Sequence, residues 1–301
     1  MARVLITGGY GFIGSHIADA FTKAGWEVLT LGLDSRNDIV HDLSKGVPNL
    51  PEVQLDAVVH AAGLAHKIPP GLDGMQSFIN VNYHGTEHLL KALELYEQEH
   101  VPIIYLSSIV VYGQVAGRFL SEGQNTDPKG AFAQSKAEAE KLLLRWQEHK
   151  GANVLILRLP PVAGKESKGI FRDMIDKMEK GNFLSIGNDN IRKSYVLASD
   201  IAQHLPEWTT YSGIFHLTDG KHPSYGEIKS ALKSANQQFR VRSIPYWLAR
   251  ILAGAGDLIP GSPLNSISFY KNTNELTFDD QKARKLLGWE SNSVLEFLKN
   301  S

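Results

Sequence analysis

The sequence predicts an α/β fold built on a doubly wound parallel sheet, with a smaller substrate region interleaved towards the C-terminus. Three observations carry this. Short β-branched apolar runs recur at residues 3–7, 27–31, 56–60, 102–108, 153–159 and 213–217. Segments of helical period separate the earlier runs, as parallel strands require for their crossovers. The first run ends in a glycine-rich loop that opens such a helix.

Arg3-Val4-Leu5-Ile6-Thr7 reads as a strand buried on both faces. Gly8-Gly9-Tyr10-Gly11-Phe12-Ile13-Gly14 follows, then Ile13, Ile17, Ala20, Phe21 and Ala24 at helical spacing, and Glu27-Val28-Leu29-Thr30-Leu31 as a second strand. Glycines at 8, 11 and 14 permit a tight turn and let backbone N–H groups approach a pyrophosphate, and the helix N-terminus adds partial positive charge. The unit reads as a Rossmann dinucleotide site, a tight turn without a ligand being the other reading, with Gly8, Gly11, Phe12, Ile13 and Gly14 expected against the cofactor.

The end of the second strand bears on NAD against NADP. Gly32 stands where an acid would bind ribose hydroxyls and repel a 2′-phosphate. Arg36 could pair with that phosphate, and Asp34 could serve the ribose, which leans the reading towards NADP. Asp42-Leu43 closes another short stretch and is read either as an adenine contact or as a solvated turn. Asp56-Ala57-Val58-Val59-His60 ends in Ala61, Ala62 and Gly63, small enough for a flat cofactor to lie on the backbone.

The loop Thr7-Gly8-Gly9-Tyr10-Gly11-Phe12-Ile13-Gly14 closely resembles the opening of extended short-chain dehydrogenases/reductases of the epimerase/dehydratase branch. Further strings extend the likeness over essentially the whole chain. These include Asn82-Tyr83-His84-Gly85-Thr86, Ser107-Ser108 through Val111-Tyr112-Gly113, Leu157-Arg158-Leu159-Pro160, residues 192–200, and Leu276-Thr277-Phe278-Asp279 with Lys282-Ala283-Arg284. The closest look is to nucleotide-sugar 4-ketoreductases and 4-epimerases, through His60 to His66, Ile244 to Leu248 (read as a helix) and the C-terminal string. The resemblance implies an NAD(P)-dependent oxidoreductase or isomerase acting at C4 of a UDP- or dTDP-linked sugar for polysaccharide biosynthesis. It also implies Ser108 on the sugar oxygen, Lys136 on the nicotinamide ribose, Pro160 beside the nicotinamide, and Lys193 with Arg192 on the substrate diphosphate.

One position departs from that pattern. Ala131-Phe132-Ala133-Gln134-Ser135-Lys136 holds the lysine, but Phe132 occupies the place of the family's tyrosine. A phenol there moves a proton, and a lysine at i+4 shares its helix face and lowers its pKa. No tyrosine lies between Tyr112 and Tyr195, so a shifted frame does not supply one. Phe132 is read in three ways. It is a Tyr→Phe replacement introduced into an enzyme, or a native residue in an enzyme that takes its proton from Ser108, Tyr112, water or another group. Otherwise the chain is a cofactor-binding sensor or assembly protein without turnover.

The division expected is residues 1–164 plus about 194–219 for the dinucleotide domain, and about 165–193 and 220–301 for the substrate region. The chain has 301 residues, 43% hydrophobic, with 31 basic and 32 acidic side chains interspersed, so no nucleic-acid footprint is expected. It has no cysteine, which excludes disulfides and thiolate chemistry. His60, His66, His84 and His88 do not share a metal spacing and are read as packing or surface residues. Residues 244–259 are too short and too interrupted by Arg250 and Asp257 to span a bilayer, so an amphipathic or buried helix, a cytoplasmic protein and no membrane partner are expected. A homodimer through the helices that carry Asn82 and Phe132 is a further expectation of the resemblance.

Overall fold

Alternate residues of each central strand go to opposite layers of one parallel sheet. This is a computed structural model; it describes the chain except residues 66–73, 168, 182, 188, 236–241, 260–261, 263 and 301, and the side chains of 184 and 242. The strands of the first half are β1 (Arg3–Thr7), β2 (Glu27–Gly32), β3 (Ile39–Val40), β4 (Ala57–His60), β5 (Ile103–Ser108), β6 (Gly117–Leu120) and β7 (Val154–Leu159). Those of the second half are β8 (Val162–Ala163), β9 (Leu184–Ile186), β10 (Val196–Leu197), β11 (Gly213–His216), β12 (Arg242–Ile244) and β13 (Leu276–Phe278).

Seven of them form the main sheet in the order β3-β2-β1-β4-β5-β7-β11, every pair parallel. Chain order reverses between β1 and β4, which opens a crevice at their carboxyl ends. This is the doubly wound fold that the sequence predicts.

The helices are α1 (Phe12–Lys23), α2 (Gly74–Phe78), α3 (Gly85–Leu95), α4 (Ala131–Lys150), α5 (Ile170–Glu179) and α6 (Ala198–His204). After them come α7 (Tyr225–Ala235), α8 (Tyr246–Gly256), α9 (Ser266–Thr273), α10 (Gln281–Leu287) and α11 (Val294–Lys299). Val4, Ile6, Val59, Ile104 and Leu157 face α1 and α6 through Ile17, Phe21 and Ile201. Leu5, Val58, Ile103, Tyr105 and Ile156 face α3 and α4 through Leu89, Leu93, Ala139 and Leu143. Such two-sided burial is why these strands read as continuous apolar runs.

The later part forms three two-stranded pairs, β10-β8, β12-β9 and β13-β6, and a core of α5, α7 and α11 around Phe171, Ile228 and Leu298. Ala283, Leu287 and Trp289, which the sequence division gives to the substrate region, lie buried in the α1–α6 layer of the main sheet. The helix expected from Ile244 starts at Tyr246. Ile244 pairs in β12 with Ile186, and Pro245, extended at ψ 143, caps the helix without donating an N–H. Among the described residues no helix is long and apolar enough to cross a membrane.

Candidate functional site

The glycine loop folds back on itself at the end of β1. Gly8 donates its N–H to Leu31 O at 2.7 Å in a left-handed conformation (φ +71), and Gly11 donates to Gly8 O at 2.8 Å. A Cβ on Gly14 would lie 2.0 Å from Gly8 O, and one on Gly8 would lie 3.0 Å from the Ala62 backbone. Gly11 caps the twelve-residue α1, and Ser15 N–H makes the first intrahelical bond, to Gly11 O at 2.9 Å. The N–H groups of Phe12, Ile13 and Gly14 therefore face out at the positive end of the helix. A side-chain-free cradle at that end fits a pyrophosphate. Ala61, Ala62 and Gly63 border it from β4. The Phe12 ring is seated where a Gly164 Cβ would come within 2.8 Å, and Pro160, after β7, is buried.

After β2 the two opposed candidates hold each other. Arg36 donates through Nε and Nη2 to Asp34 at 2.8 and 2.7 Å, and its guanidinium lies 4.4 Å from the Tyr10 ring centre. The Arg36 guanidinium and backbone N–H hold the Asp34 carboxyl well below the usual carboxylate range. Asp42 accepts from the Ser44 hydroxyl at 2.6 Å and its N–H at 3.0 Å, the geometry of a turn. Leu43 is buried and its carbonyl bonds the His88 ring at 2.7 Å.

The centre of the crevice is framed by β4, β5 and α4. Lys136 is buried on α4, donates to Leu106 O at 2.8 Å and stands 4.6 Å over the Tyr105 ring. Burial pulls its ammonium down to about 8, against the opposing pull of Glu140. A Cβ on Gly63 would be 3.2 Å from Lys136 Nζ and from Asn82 Oδ1, so the segment after β4 meets α4 there. Asn82 is a buried polar residue. It donates to Leu64 O and Ser135 Oγ at 3.0 and 2.9 Å and accepts from Leu64 N at 2.8 Å. Phe132, half-buried one turn before Lys136, tilts against Phe78 at 5.7 Å between ring centres. Ser108 ends β5, and its oxygen accepts a long 3.4 Å bond from Val110 N, so its own O–H remains to donate.

His60 is a core residue. Thr86 donates to Asn82 O at 2.7 Å, so it accepts from His60 Nε2–H, and Thr7, which accepts from Ala62 N–H, donates to Nδ1. Burial takes the ring down to about 3, so it stays neutral. His84 pairs with Glu87 at 3.1 Å, and His66 lies outside the described residues. Among the described residues no group of three or more His, Asp or Glu could hold a metal.

Sequence reasoning missed a buried polar network one turn beyond Lys136. Glu140 accepts from Ser107 and, through both oxygens, from Arg158. Arg158 Nη1 donates to Tyr112 Oη at 2.7 Å. His216 Nδ1 faces the Asp279 carbonyl at 3.0 Å and so carries the proton, which makes Nε2 the acceptor of the Tyr112 hydroxyl at 2.6 Å. Tyr112 is fully buried and its phenol is pushed up to about 12, chiefly by that burial. Its hydroxyl is engaged by Arg158 and His216. The one signal available was Arg158, a lone cation inside an apolar strand.

Arg192 and Lys193 do not join the central group. Arg192 forks onto Glu227, both bonds 3.0 Å. Lys193 Nζ donates to Lys271 O and Asn274 O, both at 2.9 Å, at the end of α9, and burial takes it down to about 8.

The parallel sheet, glycine cradle and buried lysine define a dinucleotide-dependent enzyme class. The chain belongs to the NAD dependent epimerase/dehydratase family, whose model matches residues 4–205. It is 30% identical over 211 residues to GDP-6-deoxy-D-mannose reductase of Pseudomonas aeruginosa, covering 66% of this chain and 67% of that one. It is 25% identical over 256 residues to a putative UDP-glucose 4-epimerase of Methanocaldococcus jannaschii, covering 76% and 81%. In fold it is similar to UDP-glucuronic acid 4-epimerase from Bacillus cereus in complex with NAD, with TM-score 0.73 and 18% identity over 99% of this chain and 96% of that one.

Proposed function

We propose that this chain is an NAD(P)-dependent oxidoreductase or epimerase acting at C4 of a UDP- or dTDP-linked sugar, with Phe132 in the place of the family's tyrosine proton donor. The observation that carries the reading is the convergence of Ser108, Lys136 and Gly63 on the crevice, with Phe132 at i−4 from the lysine on α4. The names of the relatives, a GDP-sugar reductase and a UDP-sugar 4-epimerase, support a nucleotide-linked sugar as substrate. The chemistry that a nicotinamide dinucleotide brings to such a site is reversible hydride exchange.

The chain's own residues do the rest. Gly8, Gly11 and Gly14 admit the pyrophosphate to the N–H groups of Phe12 and Ile13. Ala61, Ala62, Gly63 and Pro160 shape the floor and far wall. Lys136 has N–H groups beyond the one on Leu106 O with which to hold the nicotinamide ribose, and Ser108 Oγ–H donates to the sugar O4. Arg36, stacked on Tyr10, supports a preference for NADP, because its charge can turn from Asp34 to a 2′-phosphate. Asp42 and Leu43 border the adenine in this reading. Lys193 and Arg192 would have to leave their carbonyl and Glu227 partners to meet a substrate diphosphate. A homodimer through α3 and α4 completes the reading.

The absence of a phenol at 132 and the engagement of Tyr112 favour a second reading, a cofactor binder without turnover. The test is turnover of a UDP-4-keto-6-deoxy sugar with NADPH by this chain and by Phe132→Tyr. A restored phenol beside Lys136 should raise the rate by roughly a hundred- to ten-thousand-fold. If neither protein reacts while both bind the cofactor, either this keto sugar is not the substrate or the protein is a binder.

A further inference from the structure

On α8 the large and small side chains have changed places. Its buried residues are Ala249, Ala253 and Gly256, and a Cβ on Gly256 would meet Leu264 O at 1.8 Å, so the helix packs inward nearly backbone to backbone. Trp247 and Ile251 stand outward, 64 and 61% exposed, and Leu258, in the turn just past the helix, is 85% exposed. The pattern continues through Ile259 and onto α9, where Phe269 is buried and Ile267 and Tyr270 are exposed.

A helix on a water-facing surface turns its large apolar residues to the core. Small residues at the helix contact, with large ones outward, is the arrangement of helices surrounded by lipid. The charge on this face points the same way. From residue 243 to 274 the charged side chains are Arg250, Asp257 and Lys271. The exposed Asp257 carboxylate accepts from the Ser266 N–H and hydroxyl at 2.9 and 2.5 Å, which lower its pKa and keep it ionised. Arg250 and Lys271 are exposed, so with Asp257 the face presents two cations to one anion among aromatic and aliphatic groups. At about 1.5 Å per residue α8 is about 16 Å long, too short to cross the hydrocarbon core but long enough to lie in its boundary.

We propose that the α8–α9 face docks peripherally on a leaflet containing anionic phospholipid. Trp247, Ile251, Leu258 and Ile267 enter the acyl boundary, and Arg250 and Lys271 stay at headgroup level. This departs from the expectation of no membrane partner and is independent of the catalytic reading.

The experiment is flotation of the full chain with phosphatidylcholine vesicles made with and without phosphatidylglycerol, alongside the double variant Ile251→Asp/Leu258→Asp. The chain should float with the anionic vesicles, less with the neutral ones, and less again as salt is raised. The double variant should lose at least about ten-fold in partition, while its melting curve stays unchanged because both positions are exposed. Equal flotation of the variant overturns the proposal, as does a chain that stays with the aqueous fraction in every case. In the latter event, a dimer split by the same substitutions would mark the face as a contact between two copies, and a monomer would mark it as uncovered.

Discussion

Arg158 grips both carboxylate oxygens of Glu140, Nη2 to Oε2 at 2.6 Å and Nε to Oε1 at 3.1 Å, with side chains only 6 and 4% exposed. The pair joins α4 to β7 in the interior. Ser107 donates to the same carboxylate from β5, one residue before Ser108, and Lys136 lies one turn earlier on the same helix face as Glu140. The pair therefore fixes the height of α4 against the two strand ends that border the crevice.

Removing one partner strands the other. Glu140→Ala leaves the Arg158 charge buried and unpaired, so unfolding in denaturant should show a loss of about 3–5 kcal/mol. Adding Arg158→Met should recover most of it, because a thioether needs no partner. A double variant as unstable as the single one would show that the network is held by its other hydrogen bonds.

Tyr112→Phe separates packing from proton transfer. The hydroxyl bridges Arg158 and His216, and deleting it leaves buried groups unsatisfied at a cost of about 1–3 kcal/mol. The phenol is buried and held by Arg158 and His216, so the pH profile of turnover in a Phe132→Tyr background should keep its shape. A limb that moves or disappears would return Tyr112 to the list of proton donors.

What could be read beforehand was what is local in sequence. The glycine loop needs only a few consecutive residues to state its backbone demand, and the burial of both sheet faces writes itself into each strand. The i to i+4 relation of Phe132 and Lys136 is equally local. The network is not, because its partners lie 18, 46 and 104 positions apart and meet only when the sheet orders β5, β7 and β11. Lys193 is a different case. Its charge suggests a phosphate, but burial sets the ammonium against the carbonyls that end α9, a demand no neighbour in sequence announces.

The cradle makes a graded prediction. An alanine methyl at Gly14 would sit 2.0 Å from Gly8 O, backbone that cannot step aside without opening the turn, whereas one at Gly11 would sit 3.0 Å from the same atom. Gly14→Ala should abolish measurable dinucleotide binding in a fluorescence titration and lower the melting temperature. Gly11→Ala should weaken binding by about ten-fold or less, because a few tenths of an ångström suffice. The reverse ranking would mean that the turn opens freely and does not set the approach to the phosphates.

Lys136 gives the pH dependence a sign. Its ammonium titrates at about 8 in the folded chain and at its ordinary 10.5 when unfolded. Between those values the unfolded chain holds a proton that the folded chain has released, so stability rises with pH across the window, and below it the burial penalty is present in full. Lys136→Met removes the titration and keeps the aliphatic stem. Denaturant melts at the two ends of the window should show the stability of the wild type, relative to this variant, rising with pH by up to about 3 kcal/mol. Lys193 titrates in the same range in both proteins and cancels in the difference. A difference that stays flat would mean that Glu140 and the Leu106 carbonyl offset the burial of the charge, leaving Lys136 a permanent cation at the centre of the crevice.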